Sequence, residues 1–422
     1  MSFSNATSMR TCGRHHWAVM LELPYAFHKP IISAAYLQWI RGYVRNTGLD
    51  ELARDVVLGK GVVTNAGPAS FYSGGSTPDE WADRLCAAFL GMRLQCAQCH
   101  QATRANWTPN DWLAFTAFFS QLTPRQVPAE RGQVELVLLD LKREKLHRET
   151  LKPIVPRFPD GTTPKIREGQ DRREVLAVWL TSPKNPYFAR NLANRIWLHL
   201  LGKGLADPPE ALAETTVTAN NELLDFLTNE LVAQRFDAKA IIRLIMNSRV
   251  YQLSQEKIAF NSDDEKYFTR GYPKPIDSEV LIEVLNQFLE LSHEGTGMPR
   301  RARAIRTVAS DVPLFAISRP VRITACEAER DRNLASHIHI INSDWMQPRL
   351  QAPANRLGRL LAEERSDREI LDELFLAAFS RLPTDDVRKQ AAAHFARAKS
   401  RRAGFEDVLW AIINTKEFVW RP

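Results

Sequence analysis

Thr77-Pro78-Asp79-Glu80-Trp81-Ala82-Asp83-Arg84-Leu85-Cys86-Ala87-Ala88-Phe89-Leu90-Gly91-Met92 carries the helical signature on which the fold class rests. Thr77 is an N-cap residue, Pro78 takes the first helical position, where its missing N–H is no loss, and Glu80 stands three residues after the cap. Trp81, Leu85, Phe89 and Met92 then recur near the 3.6-residue period, so the stretch predicts an amphipathic helix. The same grammar returns along the chain. Thr108-Pro109-Asn110-Asp111 opens a second helix with Leu113, Ala117 and Phe118 inward. Asn185-Pro186 opens a helix through Leu192, Ile196 and Leu200 that Gly202 or Gly204 stops. Glu222 to Val232 carries Leu223, Leu227 and Leu231, and Asp237 caps a helix through Ile241 and Ile245. Ser278 precedes Val280, Leu281, Val284, Leu285 and Phe288; Ser366 with Glu369 forms a capping box; Thr384 caps the next helix; a last one spans about Phe405 to Lys416. Strand signals are few, and Asp311 to Thr324, with two prolines, reads as extended loop. The fold class is mainly α and multi-helical: two helical segments joined by a Pro-rich linker, Lys152 to Gln170.

The chain has 422 residues, 44% hydrophobic and 25% charged, with 24 Pro and 19 Gly, which is the composition of an ordinary globular protein and not of a disordered or collagen-like one. No apolar run approaches the roughly 18 residues of a membrane-spanning helix. The formal charge of +7 arises from 56 Lys and Arg against 49 Asp and Glu and reads as diffuse; Arg300, Arg301, Arg303 and Arg306 form the tight basic cluster. No aromatic residue is interleaved with those arginines as a stacking platform would need, so no nucleic-acid partner is expected. Five cysteines are too few, and odd in number, for a disulfide framework. The start of the chain shows no signal peptide: Arg10, Arg14, His15 and His16 precede only Trp17 to Leu21 before Glu22 and Pro24 intervene.

The chemistry-bearing pattern is Cys96-Ala97-Gln98-Cys99-His100, which matches the c-type haem attachment pattern. Two thiols three residues apart can each add to a haem vinyl group, and the adjacent His then ligates the iron from one face. Zinc could use the same three ligands, His100 among them, with Cys326 or another His as the fourth, and a redox dithiol needs only Cys96 and Cys99. Met92, His147 and the N-terminal histidines are the nearest candidates for a second axial ligand. Ser336-His337-Ile338-His339 places two His two apart, which share a metal only on a strand, and His199 reads as a core histidine. Neither GxSxG, HExxH, a P-loop nor a GxGxxG following a strand is present, so no catalytic signature is found.

Phe89-Leu90-Gly91-Met92-Arg93-Leu94-Gln95-Cys96-Ala97-Gln98-Cys99-His100 and Trp107-Thr108 to Phe118-Phe119 resemble the first of a pair of planctomycete domains of unknown function, DUF fifteen-forty-nine. Asn185 to Arg190, Asn194-Arg195-Ile196-Trp197, Gly202 to Pro208, Asn247 to Ser254, Arg319-Pro320, Cys326-Glu327-Ala328-Glu329-Arg330, Ser380 to Thr384 and Trp410 to Phe418 resemble the second, DUF fifteen-fifty-three. The resemblance runs from about Ala35 to Trp420. It implies an atypical arm over 1–34, the C-terminal part of the first domain with the CxxCH over 35–125, a linker region over 126–175 and the second, helical domain over 176–422. It further implies an exported, periplasmic or extracytoplasmic protein, associated with cytochrome c domains, with a sulfatase-like protein encoded nearby as partner. The expected function is c-type-cytochrome-like haem c binding at Cys96, Cys99 and His100 with an electron-transfer role; the alternative is a non-catalytic helical scaffold holding a metal or a disulfide there. Three departures stand out. The chain begins partway through the first domain, as a truncated copy would; Gln101-Ala102-Thr103-Arg104 replaces the family's His-Pro-Phe-Asp; and Pro209-Glu210-Ala211 and Thr218-Ala219-Asn220 replace its acidic pair and Ser-His-Pro turn.

Overall fold

The computed structural model describes residues 36, 39–40, 43, 47–63, 67–73, 77–93, 107–129, 132–147, 149–209, 212, 218–276, 278–291 and 346–421. The chain forms two compact units, Met1–Tyr272 and Pro273–Pro422. Helix dominates both, and among the described residues no helix is long and apolar enough to cross a membrane.

In the first unit α1 (Leu49–Leu58) buries Leu52, Ala53, Val56 and Val57. The cap read at Thr77 is present: its side chain accepts from the N–H of Glu80 and opens α2 (Pro78–Leu85), whose Trp81 and Leu85 are buried. The helix does not stop at Leu85 but widens into a π turn over Cys86–Leu90 that ends at Gly91. Thr108 and Asp111 form a reciprocal capping box on α3 (Pro109–Thr116). The later helices are α4 (Arg172–Leu180), α5 (Phe188–Leu201), α6 (Asn221–Ala233) and α7 (Ala238–Met246). Asn185 Oδ1 accepts from the N–H groups of Tyr187 and Phe188 at the start of α5, and Gly202, with φ 83°, ends it. α5 packs on α6, α7 and the π turn, while α4 packs on α1. Phe188 joins these layers, its ring 6.1 Å from Phe89 and 5.4 Å from Phe236.

A small antiparallel sheet was not legible in the sequence. β2 (Leu122–Ala129) and β3 (Gly132–Leu139) form a hairpin, and β1 (Gly61–Val62) pairs with the other edge of β3. Pro124 and Pro128 mask β2 as a strand. Backbone N–H groups alternate between strand edges, so two prolines four apart place both missing donors on one edge, which an outer strand tolerates. The Pro-rich stretch from Lys152 to Gln170 is irregular, as its prolines require, and lies within the first unit. Its Phe158 ring is stacked between Phe118, at 5.1 Å, and Trp179, at 4.6 Å.

The second unit is held by an apolar cluster. α8 (Ser278–Phe288), α9 (Arg356–Ala362), α10 (Asp367–Phe379), α11 (Asp385–Phe395) and α12 (Arg401–Ile413) bring together Leu285, Phe288, Leu360, Leu374, Phe405 and Leu409. The capping box of Ser366 with Glu369 and the cap at Thr384 are both present. The last expected helix is interrupted at Asn414, and Thr415 caps a separate turn, Lys416–Val419. β4 (Lys274–Pro275) and β5 (Trp420–Arg421) close the unit as a two-residue ladder.

Candidate functional site

Cys96, Cys99, His100 and Cys326 lie outside the described residues, as do Arg300 to Arg306 and Ser336 to Asn342. The described residues do hold both ends of the segment that carries the CxxCH, namely Met92 and Arg93 before it and Trp107 after it.

The upstream end is the π turn. A π turn inserts one extra residue per helical turn and is enriched at functional sites. Here it delivers the chain to Gly91 at φ 64°, where the N–H of Gly91 and that of Met92 both reach the carbonyl of Cys86. A Cβ at Gly91 would lie 2.8 Å from Asn191 Oδ1 and 2.9 Å from the carbonyl oxygen of Pro209, so both the backbone angle and the close approach demand glycine.

α5 presents a buried polar face to this turn. Asn191 Nδ2 donates to the carbonyl of Ala88 at 2.9 Å, and Arg195 Nη2 donates to that of Ala87 at 2.5 Å. Arg195 Nε also donates to Asn191 Oδ1 at 3.1 Å, which fixes the amide's orientation. Asn194 exchanges both its amide groups with the main chain of Ala206. The four-residue spacing of Asn191 and Arg195 places them on one face of α5, and the π turn is where α2 leaves carbonyls to be met from outside.

A second buried arginine acts in parallel. Arg173, on the first turn of α4, is 0% exposed; its Nη1 donates to the carbonyls of Val57 and Gly59 at 3.0 and 2.8 Å. Its Nε and Nη2 engage the Asp171 carboxylate in a fork, and its guanidinium stands 5.6 Å from the Tyr72 ring. A buried cation is sustained only with this degree of pairing.

The downstream end is equally fixed. Trp107 Nε1 donates to the carbonyl of Pro159 at 3.3 Å, and the Thr108 capping box follows. Trp112 on α3 is 3% exposed, and its indole N–H has no partner among the described residues.

Of the residues named as second axial ligands, Met92 is fully buried, with its N–H on the carbonyl of Cys86. His147 Nδ1 accepts from the N–H of Glu149 and of Thr150, both at 3.3 Å, which places the ring proton of the neutral imidazole on Nε2. His199 is half-buried and carries a bonding interaction. Burial pushes the Cys86 thiol well up, and Asp83 adds to the shift, so Cys86 is an inert core thiol although it lies ten residues before Cys96. Among the described residues no group of three or more His, Cys, Asp or Glu could hold a metal ion.

PSD1, a protein of unknown function (DUF1553), matches residues 172–395, more than half of the chain. The chain belongs to the PSD1 family. PSCyt2, a protein of unknown function (DUF1549), matches residues 34–124. No curated protein and no solved structure matches the chain. The polar contacts above acquire a meaning from these two spans: Arg173, Asn191 and Arg195 of the PSD1 segment hold main-chain carbonyls of Val57, Gly59, Ala87 and Ala88 in the PSCyt2 segment. Sequence reasoning quoted Arg195 only within the family stretch Asn194 to Trp197 and did not single out Arg173 or Asn191, because a polar residue on a helix is ordinarily solvated. The signal available was the Asn191-x-x-Asn194-Arg195 spacing on a helix whose neighbours Leu192 and Ile196 are core residues.

Proposed function

We infer that the chain binds haem c through Cys96, Cys99 and His100 and serves as a c-type-cytochrome-like electron relay of the cell envelope. The observation that carries this reading is the Cys96-Ala97-Gln98-Cys99-His100 pattern, flanked by a stem locked through Asn191 and Arg195 and by the Trp107–Thr108 anchor. The buried indole N–H of Trp112, which has no partner among the described residues, adds a donor suited to a carboxylate such as a haem propionate. The abbreviation in the name PSCyt2 supports a cytochrome association.

In this reading Cys96 and Cys99 would hold the haem through thioether links and His100 would supply an imidazole ligand to its iron. The bound haem supplies a one-electron iron couple. The stem residues orient the attachment segment and take no part in electron transfer. Covalent haem attachment belongs to an exported compartment, which is the location proposed here, and a sulfatase-like protein is the partner proposed.

A second reading has the same segment hold zinc or a disulfide within a helical scaffold, with Cys326 as the fourth zinc ligand. The replacement of the family's His-Pro-Phe-Asp by Gln101-Ala102-Thr103-Arg104, which removes a potential second ligand beside His100, favours it. One experiment separates the two. The full chain is expressed with an export signal and haem-maturation machinery; a Soret band that survives denaturation, and is lost in the Cys96→Ala, Cys99→Ala double variant, is expected. Pure protein without a Soret band overturns the haem reading, and zinc analysis with thiol counting then decides between metal and disulfide.

A further inference from the structure

The chain's positive charge is less diffuse than its composition suggests. Residues 140–173 hold ten Lys and Arg against six Asp and Glu, an excess of four out of the chain's +7. Within this segment a turn folds back on itself: the N–H of His147 donates to the carbonyl of Lys152 at 2.9 Å, and that of Ile154 donates to the carbonyl of Lys145 at 2.8 Å. This pairing brings His147 and Lys152 together, and both line an open cleft of about 390 Å³ that Asn110, Leu113 and Ala114 of α3 also line.

The cleft has two chemically distinct sides. Leu113 and Ala114 of α3 face Ile154 and Val155 and give it an apolar lining. His147, Lys152, Arg157 and the hydroxyl of Thr163 border it as donors, and no acidic side chain lines it among the described residues. Asp111, beside the lining residue Asn110, pairs with Arg157 at 2.9 Å. His147 has Nδ1 engaged by two backbone N–H groups, so Nε2–H is its remaining polar group. Lys152 has no ion pair among those in the described structure and is exposed, while Val155 keeps 65% of its surface exposed beside it. An apolar wall with a few convergent donors of one sign is the composition of a ligand site, and the volume falls at the small end of the range for such sites.

We propose that this cleft binds a small organic anion, its oxyanion group held by His147, Lys152 and Arg157 and its apolar body laid on Leu113, Ala114, Ile154 and Val155. Its described lining residues come from α3 and from residues 147–163, outside the CxxCH segment. It adds to a haem-binding or scaffolding role the capacity to respond to an amphiphilic carboxylate, sulfate ester or phosphate ester.

The test is calorimetric titration of the purified full chain at low salt with hexanoate, hexanamide, hexyl sulfate, hexyl phosphate and inorganic sulfate. Saturable binding of at least one hexyl anion is expected, with hexanamide and inorganic sulfate both at least about tenfold weaker; the three hexyl anions distinguish which headgroup is preferred. Lys152→Gln removes an exposed charge and is expected to weaken the preferred anion about fivefold, and Val155→Asp to abolish it. Both side chains are exposed, so the fold is kept, as circular dichroism will verify. Absence of saturable anion binding overturns the proposal, as does hexanamide or inorganic sulfate binding as tightly as the hexyl anions, or wild-type affinity in Lys152→Gln.

Discussion

In the first unit Arg173, Asp171 and Arg195 are buried, and their partners are main-chain carbonyls and each other's neighbours; among the described residues of the second unit the buried polar side chains are the amides Asn286 and Asn355. The second unit keeps its charges at the surface, where Arg356, Arg359, Glu290, Glu363 and Glu373 form a network. The difference is one of purpose. An apolar core tolerates substitution so long as volume and pattern are kept, and surface ion pairs contribute little each. Buried arginines aimed at carbonyls fix one geometry at a cost in desolvation. The first unit accepts that cost where the PSD1 segment meets the PSCyt2 segment, at Gly59 where α1 ends and on the turn that leads into the CxxCH. Positioning, more than stability, explains its buried charge.

The contrast is broken most severely at Arg173. Replacing it by Ala leaves the Asp171 carboxylate buried without its partner and strips two carbonyls of their donor, so a loss of about 3–5 kcal/mol is expected. The matching change in the second unit, Arg381→Ala, removes an ion pair with Glu417 whose side chains are 44% and 48% exposed, and about 0–1 kcal/mol is expected. Urea unfolding of both variants measures the gap. Equal losses would show that the buried arginine is not a structural keystone.

A smaller effect is expected at Asp264, which organises the loop carrying Phe268. That ring packs edge-on against Trp197 of α5 at 5.3 Å, so the loop buttresses the helix that reads the π turn. Partial burial pushes the Asp264 carboxyl up, but the Thr269 hydroxyl and the N–H groups of Tyr267, Thr269 and Lys266 outweigh it and hold the group below its ordinary value of 3.8. A depressed folded value means that stability is fully present above the unfolded value and is lost as pH falls below about 4. Limited proteolysis within residues 258–272 should accelerate several-fold between pH 5 and the acid limit in the wild type. Asp264→Asn should show the faster cleavage already at neutral pH and lose the acid dependence. A pH-independent wild type would contradict this account.

Much of the helical framework was legible because its signals are local. Thr77, Thr108, Asp237, Ser366 and Thr384 all cap the helices they were read to cap, since an N-cap bond spans only two or three residues. What escaped reading depends on partners far along the chain. Arg195 reaches Ala87, Arg173 reaches Val57, and Pro124 sits in a strand whose tolerance for proline depends on which neighbour lies at its edge. Lys152 to Gln170 was legible as rich in Pro, Lys and Arg but read as a linker, because the turn that pairs His147 with Lys152 and the packing of Phe158 depend on residues outside that stretch. The CxxCH itself was legible as chemistry; the stem that holds it was not, because a π turn has no sequence signature beyond the glycine that ends it.

The finest test compares one motif placed in both units. Thr108 with Asp111 and Ser366 with Glu369 are reciprocal capping boxes, each opening a helix with its hydroxyl on the third residue's N–H. Thr108→Ala should cost about 1 kcal/mol of stability, and Ser366→Ala a loss of the same order, because the cap satisfies one helical donor in either setting. Their effects on the CxxCH should differ. Thr108 stands eight residues after His100 and is the first capped position among the described residues that follow it, whereas Ser366 belongs to the other unit. Haem incorporation, read as Soret absorbance per unit protein after co-expression with maturation machinery, should therefore fall in Thr108→Ala and remain at the wild-type level in Ser366→Ala. Parallel falls would mean that incorporation simply follows stability, and that the anchor downstream of His100 has no positioning role of its own.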